Sequence, residues 1–248
     1  MLKNKRILIT GANGAIGNSI SRTFLKNKAN LVLFYHKNNE NIEKIKKENN
    51  NQKQEIELFQ VDLLDINQIK KTMNKVLKTE SIDGFVHSVS LPLQIKKIVD
   101  CDWRDFENHF NIQTRSFFEI SKIIIPGMKN KKNGKIVNIL TSSIIGSPPN
   151  ILSSYITSKY SSLGLSKSLA VELGPYGINV NCVSPSLIND SLTSFMPLKL
   201  KEIITNQTPM KRLTKPVDIA NAVLFLCSNL SDFITGENII VSGGQTII

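Results

Sequence analysis

The sequence predicts an α/β protein built on a single doubly wound parallel sheet with helices on both faces. Short runs rich in aliphatic and β-branched residues alternate with helical stretches, which is typical of such sheets. The length of 248 residues suits one domain. We find no internal repeat, low-complexity block or linker rich in proline, glycine or serine that divides it. The strand-like runs are residues 5–10, 31–35, 56–61, 83–89, 135–140, 178–183 and 238–241.

The first strand leads directly into a glycine-rich loop, Gly11-Ala-Asn-Gly-Ala-Ile-Gly17, and then into an amphipathic helix over residues 18–28. Gly11 permits a tight turn, and Gly17 lets the helix lie close to the strand. The free N–H groups at the start of such a helix bind pyrophosphate. The order strand, glycine loop, helix therefore predicts an N-terminal dinucleotide-binding half of the Rossmann type.

Tyr155 and Lys159 are four residues apart in a predicted helix, with Ser143 twelve residues before Tyr155. Positions i and i+4 share a helix face, so the phenol and the ammonium point the same way. A cation beside a phenol lowers the tyrosine pKa from its usual value of ~10 toward the range of an acid/base catalyst. Ser143 follows the strand-like run 135–140, where its hydroxyl can hold a carbonyl oxygen. The spacing is also common on helices without function, so the pair alone does not establish catalysis.

These blocks together resemble the short-chain dehydrogenase/reductase family. The resemblance covers essentially the whole chain, and within the family the chain is most similar to the 3-oxoacyl-(acyl-carrier-protein) reductases. It implies an NAD(P)-dependent enzyme that reduces a small-molecule or carrier-bound carbonyl substrate, such as a 3-oxoacyl thioester of fatty acid biosynthesis. It also implies a homotetramer built through long helices at about 104–129 and 152–174. The matching blocks, in order, are Thr10 to Gly17, Asp62, Ser143, Tyr155-x3-Lys159, Ser184-Pro185 and Gly243-Gly244.

The resemblance also implies roles for individual residues. Tyr155 would deliver a proton to the developing alkoxide, Ser143 would hold that oxygen, and Lys159 would also bind the nicotinamide ribose. Ser143 is favoured over Ser142 because the family serine precedes x-x-Gly, as in Ser143-Ile-Ile-Gly146. The implied cofactor-binding positions are Gly11, Asn13, Ile16, Gly17, Lys37, Asp62, Leu63, Ser88, Tyr155, Lys159 and Ile188.

NADP(H) is favoured over NAD(H) by the end of the second strand. An NAD site commonly has an acidic residue there to bond the ribose hydroxyls, whereas this chain has Tyr35-His36-Lys37. Lys37 would attract the 2′-phosphate, although it could also be one more surface lysine. Asp62 is expected to accept a hydrogen bond from the adenine amino group, with the Leu63 N–H near the ring; its alternative role is to cap the helix that starts near Asp65.

Three segments depart from the family pattern or leave alternatives open. His87-Ser88-Val89-Ser90 replaces the usual Asn-Asn-Ala-Gly, so the backbone at Ser90 is in question, and His87 is interpreted as structural, with catalysis as the alternative. Gln113 matches the family's helical asparagine, nine residues before Lys122, and either preserves a proton relay or merely packs. Residues 189–208 resemble a substrate lid, but an amphipathic helix packed on the core fits the same residues.

The formal net charge of +11 comes mostly from lysines interleaved with Asn and Glu, without an aromatic-rich basic patch. We therefore expect a solvated surface that could attract an acidic carrier protein, and no binding to nucleic acid. The three scattered cysteines lack metal-ligand spacing and are typical of reduced thiols in the cytoplasm. No run approaches the ~20 apolar residues of a membrane span, so we expect no membrane contact. The alternative functions are an enoyl-thioester reductase and a non-catalytic, cofactor-binding regulatory protein.

Overall fold

A seven-stranded parallel sheet organises the part of the chain that this computed structural model describes, residues 1–50, 53–189 and 193–247. Its order is β3-β2-β1-β4-β5-β6-β7, and each predicted strand-like run overlaps one of its strands. The predicted doubly wound fold is thereby confirmed. The strands are β1 Arg6–Thr10, β2 Asn30–Tyr35, β3 Ile56–Gln60, β4 Gly84–His87, β5 Gly134–Ile139, β6 Ile178–Pro185 and β7 Asn238–Val241.

Helices cover both faces of the sheet because successive strand residues point to opposite sides. Ile7 and Ile9 of β1 belong to one hydrophobic cluster, while Leu8 between them belongs to the other. Helices α1, α2 and α8 contribute to the first cluster, and α3, α5 and α6 to the second. The helices are α1 Ala15–Lys26, α2 Glu40–Glu48, α3 Ile66–Thr79, α4 Trp103–Phe110, α5 Ser116–Lys131, α6 Ser153–Leu173, α7 Leu198–Gln207 and α8 Pro216–Leu226.

The strand order reverses direction at β1, which pairs with β2 on one side and β4 on the other. The connections that follow β1 and β4 go to opposite faces of the sheet, so a crevice forms at the carboxyl ends of these strands. The segments that carry the predicted site residues follow β1 to β6 at this same edge. The topology therefore brings distant parts of the sequence together.

The long helix expected over residues 104–129 is interrupted. A π-helical turn, Asn111–Arg115, separates α4 from α5. The turn is fixed to α6 by two hydroxyl groups: Thr114 donates to the Ser158 carbonyl at 3.2 Å, and Ser162 donates to the Gln113 carbonyl at 3.3 Å. Because π turns change which side chains face inward and recur at functional sites, this interruption determines where Gln113 points.

Among the described helices, none is both long and apolar enough to cross a membrane.

Candidate active site

A cleft of about 1050 Å³ runs along the carboxyl ends of the strands. It joins the glycine loop at one end to the segment around Tyr155 at the other. Every site residue predicted from the sequence lies along it: Gly11, Asn13, Ile16, Gly17, Lys37, Asp62, Leu63, Ser88, Ser143, Tyr155, Lys159 and Ile188.

The glycine loop is shaped by contacts that no side chain could allow. Gly11 has φ +65°, and a Cβ on it would lie 2.0 Å from the Ser88 carbonyl oxygen. A Cβ on Gly17 would lie 2.3 Å from the Gly11 oxygen. Helix α1 begins after Gly14 without a side-chain cap, so the N–H groups of its first turn face the cleft as a ready anion site. The loop thus fits the pyrophosphate of a dinucleotide.

Two polar residues at the adenosine end have different partners. Asn13 ties the loop to α2, since its amide oxygen accepts from the backbone N–H groups of Asn41 at 3.0 Å and Ile42 at 3.3 Å. Asp65 caps α3 with its carboxylate, so the capping alternative for Asp62 does not hold. The Asp62 carboxylate accepts from the Leu64 N–H at 2.9 Å and is 38% exposed at the cleft.

A lysine and a histidine lie where β2 ends. Lys37 is exposed and lines the cleft. The His36 Nε2 lies 3.8 Å from an Asp62 carboxylate oxygen across the same opening. An additional phosphate at this end would therefore meet a lysine and an imidazole.

Tyr155 and Lys159 are both buried on α6 and face the cleft, with exposed fractions of 9% and 4%. The Lys159 ammonium donates to the Ile139 carbonyl at 2.8 Å and lies 5.7 Å from the centroid of the Tyr155 ring. Burial lowers the pKa of Lys159 to about 7, with the Cys182 thiol acting weakly in the opposite direction. The lysine proton is therefore exchangeable near neutral pH.

Ser143 lies in a short 3-10 turn, Ser142–Ile144, directly after β5. The Thr141 hydroxyl oxygen orders this turn by accepting from the Ser143 N–H at 3.3 Å. Both serines line the cleft, but Ser142 is buried whereas Ser143 is only half-buried. Ser143 is the more accessible hydroxyl of the two.

His87 completes a chain of hydrogen bonds beneath the cleft. The Ser88 N–H donates to the Thr10 hydroxyl at 3.3 Å, and that hydroxyl lies 2.9 Å from His87 Nδ1. His87 Nε2 lies 3.3 Å from the Ser116 hydroxyl, which itself donates to the Ile112 carbonyl at 2.6 Å. These directions require Nε2 to carry the proton and Nδ1 to accept. The arrangement supports the structural interpretation of His87.

Two features confirm that the departure from the family pattern after β4 is accommodated. Burial, and then the charge of Lys159, lowers the pKa of His87 to about 3, so the imidazole is neutral, as its hydrogen bonds require. Ser90 is not one of the described residues with positive φ. Its backbone therefore needs no glycine.

The sequence did not single out His109, which lies beside Gln113 in the core. Each is 1% exposed, and neither imidazole nitrogen of His109 nor either amide atom of Gln113 has a hydrogen-bond partner among the described residues. The His109 ring meets Tyr155 edge-on, with centroids 6.0 Å apart and planes at 76°. The spacing of four residues between His109 and Gln113 was the available signal.

The segment expected to form a lid contributes apolar residues to the cleft. Residues 190–192 of this segment lie outside the described residues. Beyond them, Phe195, Met196, Leu200 and Ile204 line the cleft. Helix α7 has no buried residue, so the alternative of a helix packed on the core does not describe it.

Comparison with known proteins agrees with this geometry. The family model described as "Enoyl-(Acyl carrier protein) reductase" matches residues 11–246. The chain belongs to the short-chain dehydrogenase/reductase family. A 3-oxoacyl-[acyl-carrier-protein] reductase of Thermotoga maritima is 30% identical to this family member over 248 residues, which cover 99% of each chain.

Solved structures share the fold. A 3-oxoacyl-[acyl-carrier protein] reductase from Brucella melitensis has a TM-score of 0.90 at 24% identity, covering 99% of this chain and 92% of its own. A gluconate 5-dehydrogenase from Burkholderia cenocepacia, solved with NADP and tartrate, also has a TM-score of 0.90, at 20% identity, covering 98% of this chain and 96% of its own.

Proposed function

We propose that this short-chain dehydrogenase/reductase is an NADPH-dependent carbonyl reductase that acts on 3-oxoacyl thioesters. The observation that carries the proposal is the buried Tyr155–Lys159 pair, which shares one cleft with Ser143 and with the glycine loop. The full-length similarity to a 3-oxoacyl-[acyl-carrier-protein] reductase supports the substrate class.

The cofactor would be held along the whole cleft. The loop at Gly11 and the start of α1 would bind its pyrophosphate, and Asp62 with Leu63 would contact the adenine. Ser88 and Ile188 would lie at the nicotinamide end. When bound, the nicotinamide supplies the hydride for carbonyl reduction.

The side chains of this protein would manage the proton and the charge. The Tyr155 hydroxyl donates its proton to the developing alkoxide, and the Ser143 hydroxyl donates a hydrogen bond to the same oxygen. The Lys159 ammonium stabilises the phenolate that remains, because it lies 5.7 Å from the ring centroid in a buried site.

The proposed lid supports an acyl substrate. Phe195, Met196, Leu200 and Ile204 present apolar side chains to the cleft that Tyr155 also lines. Burying an acyl chain against them would gain roughly 0.8 kcal/mol for each methylene removed from water. We therefore expect the Michaelis constant to fall as the acyl chain of the substrate lengthens.

The decisive test is Tyr155→Phe assayed with an acetoacetyl thioester and NADPH. Loss of the proton donor should lower kcat by at least about a thousandfold, while the dissociation constant for NADPH, followed by nucleotide fluorescence, changes less than about threefold. Substantial residual turnover in Tyr155→Phe would contradict the mechanism.

Lys37 is the residue proposed to select NADPH. Lys37→Asp should raise the Michaelis constant for NADPH about a hundredfold more than that for NADH, because a carboxylate repels the 2′-phosphate and can bond the ribose hydroxyls. Lys37→Gln, which removes the charge without reversing it, should give an intermediate ratio. An equal change for both cofactors would refute the assignment.

A second candidate, enoyl-thioester reduction, is favoured by the description of the matching family model. Assays of acetoacetyl and crotonyl thioesters side by side distinguish the two reactions. Turnover of the crotonyl substrate alone would replace carbonyl reduction with this alternative. Binding of NADPH without turnover of any substrate would instead favour a regulatory protein.

We also propose a homotetramer that acts in the cytoplasm. Exposed apolar side chains on α4 and α6 support the assembly, since Trp103 is 78% and Val171 is 81% exposed. Light scattering of the purified protein measures the assembly directly.

The three cysteines are free thiols, in keeping with a reducing compartment.

A further inference from the structure

The buried polar atoms of His109 and Gln113 call for a physical explanation. Leaving a buried donor or acceptor unpaired destabilises the folded state, and native proteins pair nearly all such groups with protein or with water. Neither imidazole nitrogen of His109 and neither amide atom of Gln113 has a protein partner among the described residues. Both side chains are 1% exposed, so water is the partner that would satisfy their polar atoms.

This polar pair touches the proposed chemistry on one side. The His109 ring lies edge-on to Tyr155 with centroids 6.0 Å apart. Gln113 is held close to the same helix because its carbonyl accepts from the Ser162 hydroxyl at 3.3 Å. The π-helical turn thus fixes the amide of Gln113 in the core next to the helix that carries Tyr155.

An ion pair that reaches solvent lies one helical turn from His109. Asp105 precedes it by one helical turn, and the Asp105 carboxylate accepts from the Lys96 ammonium at 2.8 Å and from the Asp102 N–H at 3.2 Å. The Lys96 side chain is 37% exposed. The Asp105 charge acts on the imidazole of His109 and Tyr155 contacts its ring, so His109 interacts with both a surface ion pair and the proposed proton donor.

The charge state of His109 suits a relay. Three ionisable groups face it: Asp105 from its own helix, and Lys159 and Tyr155 from α6. Burial, and then the charge of Lys159, lowers the pKa of His109 below its usual 6.5, while Asp105 opposes the shift. A neutral imidazole has one N–H donor and one acceptor, so it can take a proton at one nitrogen and release one from the other.

We propose that His109 is a positioning residue that relays protons between solvent and Tyr155, with Gln113 orienting the water between them. The inference rests on the proposed carbonyl reduction. After Tyr155 has given its proton to the alkoxide, a solvent proton enters at one imidazole nitrogen. The proton on the other nitrogen leaves through water to the phenolate. Tyr155 is neutral again, and the imidazole is in its other tautomer until the ring rotates or exchanges its proton back.

The test compares His109→Gln and His109→Phe with wild-type protein. Glutamine keeps hydrogen bonding and phenylalanine keeps the ring contact, but neither can exchange a proton as imidazole does. Both variants should lower kcat by about tenfold, below the full effect of a direct acid/base group, and should increase the solvent deuterium isotope effect on kcat. The Michaelis constant of the thioester and the affinity for NADPH should not change.

Two controls separate a relay from a structural role. Asn108 lies next to His109 on α4, and the Asn108→Gln variant should behave as wild type. Added imidazole should restore turnover to His109→Ala, which a purely structural defect would not allow. A His109→Gln protein with wild-type kcat and isotope effect would overturn the relay, as would an effect confined to the Michaelis constant.

A readout that needs no turnover distinguishes failure of the relay from failure of the proposed function. The chain has three histidines, so ¹⁵N NMR resolves the imidazole of His109, assigned by its loss in His109→Gln. Tyr155→Phe should change the tautomer ratio of this imidazole. An unchanged ratio would overturn the relay even in an active enzyme. Wild-type protein that binds NADPH but reduces no ketone would overturn the proposed function and the relay with it.

Discussion

Two buried histidines near the cleft differ in one respect that separates a structural role from a proposed chemical one. His87, at the end of β4, and His109, on α4, are 2% and 1% exposed. Burial, followed by the charge of Lys159, lowers the pKa of both. His87 has a partner at each ring nitrogen, whereas His109 has none among the described residues.

The difference shows that burial and a shifted pKa do not by themselves identify a functional residue. A fully paired imidazole such as His87 fixes one tautomer and stabilises the loops around it. An imidazole such as His109, with no hydrogen-bond partner among the described residues, lowers stability unless water pairs it, so the structure tolerates it for another reason. Hydrogen-bond satisfaction is the property that distinguishes the two.

The largest expected effect is the loss of stability in acid caused by His87. Its pKa is about 3 in the folded protein and 6.5 ordinarily, so between these values the unfolded chain binds more protons and stability falls as the pH falls. The total loss should be about 5 kcal/mol, or ~1.4 kcal/mol for each pH unit. Urea unfolding between pH 6.5 and 4.5 measures the slope. The His109→Gln variant should keep most of this pH dependence of stability. If the slope were lost in His109→Gln, the acid sensitivity would come from His109 and not from His87.

The next effect is the removal of the paired histidine. His87→Leu leaves the Thr10 hydroxyl proton without its acceptor in the core and deprives the Ser116 hydroxyl of a donor. We expect the free energy of unfolding at pH 7 to fall by about 3 kcal/mol. Chemical denaturation measures it. A loss below ~1 kcal/mol would mean that the hydrogen-bond chain does not stabilise the fold.

The smallest expected effect is the matching change at the unpaired histidine. His109→Leu removes two buried polar atoms that have no hydrogen-bond partner in the described part of the chain, so the free energy of unfolding should stay within ~1 kcal/mol of wild type or rise. The same denaturation experiment measures it. A loss as large as that of His87→Leu would show that His109 is structural, and the contrast between the two residues would disappear.

The sheet could be predicted from the sequence because strand periodicity and the glycine loop are local signals. The runs at 5–10 and 135–140 became β1 and β5 with boundaries within a residue, and α3 starts beside Asp65 as expected. Alternate residues of the strands are buried in the two hydrophobic clusters, so the folded sheet requires the pattern of apolar residues that the sequence shows.

The π-helical turn and the surroundings of His109 could not be predicted in the same way. One wider turn at Asn111–Arg115 leaves the apolar spacing of residues 104–129 almost unchanged, so periodicity does not reveal it. A lone histidine in a helix has no local signature of burial. His109 becomes notable only when α4 packs on α6 and the absence of partners for its nitrogens can be seen.

The depressed pKa of Lys159 has a consequence for covalent chemistry. At about 7, it leaves roughly half of this amine unprotonated at neutral pH, while a solvated lysine with a pKa of ~10.4 is almost entirely a cation. Only the unprotonated amine attacks electrophiles. In a chain covered with lysines, a small acylating reagent that enters the cleft would therefore react with Lys159 in preference to the surface lysines, and a bound dinucleotide would shield it.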